Sequence, residues 1–480
     1  MRRTPTHPLF LSLLLVPLLL GGCGALLRTE YVRPETAARQ QWAAETALEN
    51  SAASANAASW PEGFGDAELA RLVQLALERN NDLAAAALRV RQAQIKAGLA
   101  FDDLLPDLSA TGGTSSKKST RSGDWSMEYS AEAGISYEAD LWGRLASARD
   151  AAEWEAMATE QDRASAELTV VSTTMQLYWQ IAYRNVRMEL GERNIESAAQ
   201  TLELILAQEQ YGAASALEVN EARQNLASLR AEQQDLIQSR QEDVNALAVL
   251  FDMPPGTVMT DPGELAATLP DIPAGLPAEL LGRRPDLRAA ELRLRELLAE
   301  TDAARAGFYP TLSLTGTYGG SSEVLATLFE NPLLTAASSI ALPFLNWNNL
   351  HLNLQEKQAE YDEAVVNFRQ TLYEAMEEVE NALSKRLVLA AKAGRLEESL
   401  EAAREVERIY EVRYRAGSGT LKDWLDAQDT RRTAEQSRAE NLYDRLTNYV
   451  TLYEALGGAP AAPGSAGPDE AAAPTAAAPE

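Results

Sequence analysis

The chain has 480 residues with 43 Lys+Arg against 70 Asp+Glu, a formal net charge of −27 and 46% hydrophobic residues, which is enough for two or three folded domains. Its single cysteine and two histidines exclude an intramolecular disulfide and a zinc site built from Cys and His. A pI near 4.6 argues against a nucleic-acid partner, since neutralising phosphates takes clustered Lys and Arg in excess.

In chain order, Arg2 and Arg3 precede an apolar run from Leu9 to Leu20 that closes in Leu20-Gly21-Gly22-Cys23. Residues 1–22 therefore read as a secretory signal, and the tetrad resembles a bacterial lipobox with Cys23 as the lipidated first residue. Gly24 at the next position is the outer-membrane pattern for such lipoproteins. Removal of the signal takes His7 with it and leaves His351 as the only imidazole, so Ser-His-Asp and Cys-His catalysis lack context. Residues 23–65 are an Ala-rich, polar arm.

The first of two copies of one unit follows over residues 66–251. A helical segment from Ala67 to about Phe101 leads into strands near 106–117 and 125–138, then long helices from Trp142 to about Gln210 and from Ser215 to Leu250. The Pro/Gly-rich residues 252–277 form the linker. The second copy, 278–458, has a helical segment to about Ala306, strands near 309–320 and 336–345, and helices from Trp347 to about Arg415 and from Thr420 to Leu456. Asn81-Asp82-Leu83 recurs as Pro285-Asp286-Leu287 and Leu105-Pro106 as Tyr309-Pro310, shifted by 204 positions; Asp140-Leu141-Trp142-Gly143 recurs as Leu345-Asn346-Trp347-Asn348, shifted by 205. Residues 459–480, Ala/Pro-rich, form a tail expected to be disordered.

Apolar residues spaced three and four apart, as at Leu168, Val171, Met175, Tyr178 and Ala182, give the long helices coiled-coil faces. No run of 18 apolar residues exists to make a membrane helix. The strands alternate instead: Met127, Tyr129, Ala131, Ala133, Ile135 and Tyr137 against Ser126, Glu128, Ser130, Glu132, Gly134 and Ser136. Twelve alternating residues suffice for a tilted membrane strand, which takes about 9–11. Four strands cannot close a barrel, because the smallest need about eight, so several chains must share one.

Trp60-Pro61, Phe64-Gly65-Asp66, Asp140-Leu141-Trp142-Gly143-Arg144, Ile272 to Pro277, Leu281-Gly282-Arg283-Arg284-Pro285-Asp286-Leu287 and Leu452 to Gly458 resemble the TolC-like outer-membrane efflux proteins, in their lipoprotein branch. The resemblance implies a mainly α protein with a membrane β-barrel: a homotrimer whose 12-stranded barrel takes four strands from each chain and continues as a periplasmic barrel of long helices. It implies an exit duct for drugs or toxic compounds, working with a periplasmic adaptor and an inner-membrane pump of the resistance-nodulation-division type. No enzyme activity, metal or cofactor is expected beyond the covalent lipid on Cys23. The other class weighed is a periplasmic coiled-coil adaptor or structural lipoprotein, which has no need of four amphipathic strands.

The candidate site lies at two helix turns. Gly212 to Ser215 and Gly417 to Thr420 fit a left-handed glycine cap followed by an N-cap hydroxyl. Beyond them, Asp423 and Asp426 share a helix face, with Glu218 and Glu221 at the first-copy positions. The resemblance implies that these carboxylates ring the periplasmic aperture and that Tyr414 belongs to a gate latch, whose matching arginine is here Gly419.

Overall fold

The computed structural model describes residues 27–35, 42, 63–266, 269–270 and 280–458; the signal segment, Cys23, most of the arm, much of the linker's end and the tail lie outside them. The described chain is ordered as α1 (Ala67–Arg79), α2 (Asn81–Asp102), β1 (Asp107–Lys118), β2 (Trp125–Ala139), α3 (Arg144–Gln210) and α4 (Ala216–Leu250). The same order then returns as α5 (Leu280–Arg283), α6 (Pro285–Ala306), β3 (Thr311–Ser322), β4 (Leu333–Ala341), α7 (Trp347–Arg415) and α8 (Leu421–Ala455). The residues divide into two compact units, one holding 27–35, 87–162 and 288–370, the other Trp42, 63–86, 163–266, 269–270, 280–287 and 371–458.

The first unit contains a four-stranded antiparallel sheet in the order β1-β2-β3-β4. Directly paired residues share a face, so the register Leu108↔Ile135↔Gly316, Ala110↔Ala133↔Tyr318 and Leu312↔Ile340 gathers the apolar residues on one side. Ser109, Thr111, Glu128, Glu132, Ser136, Ser313, Thr315 and Ser339 occupy the other. Leu108, Met127, Tyr318, Leu334 and Ile340 remain exposed, which is the surface a lipid-facing sheet presents. The fourth strand spans Leu333–Ala341 rather than 336–345. Pro343 cannot donate a ladder hydrogen bond and opens a 3₁₀ turn that takes Phe344 and Leu345 out of the strand.

At the strand-to-helix corner Asp140 accepts hydrogen bonds from the Leu145 and Ala146 amides at 3.2 and 2.8 Å. The helix therefore starts at Arg144, two residues later than expected from Trp142, because Trp142 is used elsewhere. Its indole N–H donates to the Pro310 carbonyl at 2.9 Å and its ring stacks on Tyr309 at 4.7 Å, so the corner of one copy is fastened to the strand entry of the other.

The N-terminal segment is strapped to the same unit. Thr29 donates through both its amide and its hydroxyl to the Asp302 carboxylate, each at 2.7 Å. Arg28 pairs with Asp150 at 2.6 Å and Arg33 grips Glu291 through two nitrogens. The Arg295 guanidinium lies between the Tyr31 and Trp154 rings at 4.9 and 5.1 Å.

In the second unit a core of Leu69, Leu72, Met175, Trp179, Ile181, Leu247, Phe251, Leu446 and Val450 packs the expected coiled-coil faces. The first helical segment is broken into α1 and α2. Asn80, 5% exposed, takes extended backbone angles, accepts the Leu83 amide to start α2 and donates to the Leu250 carbonyl that ends α4. Arg284 does the matching work in the second copy, donating to the Ala455 carbonyl at 3.0 Å while pairing with Asp286 and Glu378. On α8, Asn441 and Asn448 are buried and donate to the Leu389 and Ala382 carbonyls of α7. No helix among the described residues is long and apolar enough to cross a membrane.

Candidate functional site

The two turns that join α3 to α4 and α7 to α8 are built alike. Gly212 and Gly417 have φ of 73° and 72°, the left-handed region that a Cβ disfavours. In the first turn the amides of Gly212 and Ala213 donate to the Glu209 and Gln208 carbonyls; in the second, those of Gly417 and Ser418 donate to Tyr414 and Arg413. Both are Schellman caps. The next helix then starts from Ser215 or Thr420, each completing a capping box with the residue three further on.

The capping boxes assign Glu218 and Asp423 a definite local task. The Glu218 carboxylate accepts from the Ser215 amide at 2.7 Å, and that of Asp423 accepts from the Thr420 hydroxyl at 2.7 Å and its amide at 3.4 Å. The Thr420 hydrogen bond holds the Asp423 carboxyl below the usual carboxylate range. Asp426, one turn on, is engaged by the Lys422 ammonium at 2.5 Å. That pairing, helped by the charges of Asp423 and Glu221, pushes the lysine up. Lys422 thus sits in the field of three of the four carboxylates that sequence singles out, and its spacing of four from Asp426 is a helix-pair signal visible in sequence.

Tyr414 lies beneath this acidic surface. It is 8% exposed, stacks on Trp424 at 5.5 Å and shares a small core with Ile205, Val219, Ala222 and Leu421. Its hydroxyl donates to the Gln208 side-chain carbonyl at 2.8 Å, which ties the end of α7 to the end of α3. Burial and the neighbouring Glu218 charge both push its phenol up, so it stays a donor at neutral pH. Gln208 is 206 positions away in sequence, and no local pattern marks it as the partner. At Gly419 a Cβ would come within 3.2 Å of the Arg413 Cβ and 3.4 Å of the Tyr414 amide nitrogen. A long side chain there needs the turn to give slightly, so the second half of a latch is not available from this position.

Further from the turns, Arg431 is a second tie between helices, pairing with Glu407 at 2.5 Å and Glu435 at 2.6 Å and donating to Asn194 at 3.1 Å. Among the described residues no group of His, Cys, Asp and Glu is arranged to hold a metal ion. The arrangement at the turns is an acidic surface, partly neutralised by Lys422, over the stacked rings of Tyr414 and Trp424, and such a surface attracts cations.

The family model described as "Outer membrane efflux protein" matches residues 72–251 and 276–458. The chain is 32% identical over 461 residues to the pyoverdine export outer membrane protein OpmQ of Pseudomonas aeruginosa, covering 93% of this chain and 96% of that one. It is 31% identical over 461 residues to the toluene efflux pump outer membrane protein TtgC of Pseudomonas putida, covering 93% and 95%. Among solved structures, the open state of the Neisseria gonorrhoeae MtrE outer membrane channel matches with a TM-score of 0.77 at 30% identity over 90% of this chain and 98% of that chain.

Proposed function

Since the chain belongs to the outer membrane efflux protein family, we propose that three copies close one 12-stranded barrel and form the outer-membrane exit channel of a tripartite efflux system. The channel passes small molecules such as drugs or toxic compounds from the periplasm to the exterior, without a catalytic step. The observation that carries this is the sheet: four strands, apolar on one face and polar on the other, with β1 and β4 as open edges. Open edges are not tolerated in lipid, so β4 of one chain pairs with β1 of the next.

Names of relatives support the cargo class: one is a pyoverdine export protein and another belongs to a toluene efflux pump. A periplasmic adaptor and an inner-membrane pump of the resistance-nodulation-division type are the partners this reading requires. Cys23, outside the described residues, is assigned the lipid. The acids at the turns are assigned to the periplasmic aperture: Asp423, Asp426, Glu218 and Glu221 become threefold rings, and Tyr414 with Gln208 becomes the latch. Threefold repetition of like charge near an axis favours cations.

Two measurements test the reading. In mild detergent the protein should have the mass of a trimer, and in planar bilayers it should conduct with cation selectivity. A stable monomer, or a trimer without conductance under any condition that opens relatives, would overturn it.

A further inference from the structure

The helices that flank the sheet all join it at one end, where Asp107, Ala139, Thr311 and Ala341 lie. The β1–β2 turn is therefore at the other end, which the channel reading places outside the cell. That turn collects the cations of the strand region. Between Lys96 and Arg144 the only ones are Lys117, Lys118 and Arg121, and none stands between Arg305 and Lys357. Register separates the two lysines. Lys117 pairs with Ser126 on the polar face and is held by Glu128 at 3.0 Å. Lys118 pairs with Trp125, which heads the row of Met127, Tyr129, Ala131, Ala133, Ile135 and Tyr137, so it stands on the apolar face. It is the one charged residue that the strands place there.

Its height is specific as well. Lys118 stands ten steps beyond Leu108 on the same face, about 33 Å along the strand and about 25 Å of height at a tilt near 40°, the depth of the apolar band of a membrane barrel. A cation at that point sits where hydrocarbon gives way to headgroups. Trp125, 69% exposed, and Tyr137 at the opposite end of the row take the positions of the two aromatic girdles. The local geometry leaves the charge unspent. The Lys118 ammonium lies 5.6 Å from the centroid of the Trp125 ring and engages no carboxylate among the described residues, so it keeps donors for an incoming anion. Arg121 is exposed and equally unpaired. Asp124 closes the turn through its carbonyl, which accepts the Ser119 amide at 2.9 Å. Neither its carboxylate nor those of Glu323 and Glu330 in the β3–β4 connection form an ion pair with Lys118 or Arg121.

We infer that Lys118, backed by Trp125 and joined by Arg121, binds a phosphate of the phosphorylated glycolipid that forms the outer leaflet of a bacterial outer membrane, with one such site on each chain of the trimer. The site rests on the outer-membrane channel reading. Lys supplies a point charge suited to phosphate, and anionic headgroups attract cations that stand at their level. A lysine required only for solubility would serve as well on the polar face, where Lys117 already stands.

Binding of diphosphorylated lipid A to the purified full-length protein in mild detergent, read by native mass spectrometry, tests it, with the dephosphorylated glycolipid and phosphatidylglycerol as comparison probes. The diphosphorylated form should bind tighter than either. Lys118→Ala and Arg121→Ala should each weaken that binding about fivefold, Lys118→Arg should retain it, and Lys117→Ala should leave it unchanged. Equal binding of the dephosphorylated glycolipid, equal binding of phosphatidylglycerol, or an equal loss with Lys117→Ala would overturn the site. A wild type that is trimeric and conducts while giving any of those results loses the site and keeps the channel. A wild type that is monomeric or does not conduct overturns the channel reading and the site with it.

Discussion

Lys422 is the residue that most changes the reading of the acidic turns, because it stands within 2.5 Å of Asp426 and so cancels part of the charge that the aperture reading relies on. Lys422→Ala should strengthen divalent block and cation selectivity in bilayer recordings; Asp423→Ala with Asp426→Ala should weaken both. If neither variant differs from the wild type, the acids are helix caps and the constriction lies elsewhere. A second residue carries a pH response. Burial, with the charges of Glu155 and Glu300 nearby, pushes the Glu296 carboxyl up to about 7, while Arg293 and Lys357 supply the surrounding positive charge, held by Asp162, Glu155, Glu300 and Glu360. Folded Glu296 holds its proton to a higher pH than the unfolded chain does, so its favourable contribution is full below the ordinary Glu range and is lost as pH rises toward and past 7. Thermal stability should therefore fall between about pH 4.5 and 7, and Glu296→Gln should flatten that fall. An unchanged slope would mean that Glu296 is ionised throughout. How legible such features are in sequence depends on separation along the chain: Asp423 and Glu218 sit at the third helical position after a Thr or Ser, which any reader of caps can find, whereas the Gln208 partner of Tyr414 and the neighbours of Glu296 come together only on folding.

Among the elements, the α7–α8 pair shows how a long coiled coil keeps one alignment. Asn441 and Asn448 are seven residues apart, and so are the Leu389 and Ala382 carbonyls they reach on α7 at 3.3 and 3.0 Å. A slip by one heptad would keep the apolar seam but strand one of these buried amides, at about 1–3 kcal/mol. Replacing both by Leu should leave the melting temperature equal or higher, since a polar residue in such a seam fixes register at the expense of stability. It should also reduce disulfide formation between Ala403→Cys and Ala434→Cys, which lie in one small core cluster on the two helices. Undiminished cross-linking would show that other contacts set the register. Periodicity made these helices visible in sequence, and alternation made the strands visible. What periodicity conceals is interruption. The apolar pattern runs through Asn80, yet the Asn80-Asn81-Asp82 run is itself a helix-start signal and Asn80 stops one helix and starts another. Likewise, alternation through Leu342 and Phe344 continues beyond β4, but Pro343 ends the ladder.

At the scale of the whole molecule, the two faces of the sheet make opposite demands. Ala133 lies on the apolar face between Ala110 and Tyr318, and its neighbour Glu132 lies on the polar face between Thr111 and Gly319. Ala133→Lys should cost about 2–4 kcal/mol of barrel stability if that face meets the bilayer interior, seen as lost heat-resistant trimer, whereas Glu132→Lys should assemble normally and shift ion selectivity. Equal tolerance at both positions would argue for a sheet in water. The strap at Arg28 to Arg33 matters at this scale too. Four residues lie between Cys23 and Arg28, and the five steps of extended chain span at most about 18 Å. The strap fixes Arg28 and Thr29 to Asp150 and Asp302, and Asp302 lies near the end of α6, just before β3. An acyl group on Cys23, as proposed, would therefore be held beside the foot of the strands, where it would act as a depth stop, holding the barrel at one height in the bilayer and opposing any pull toward the periplasm.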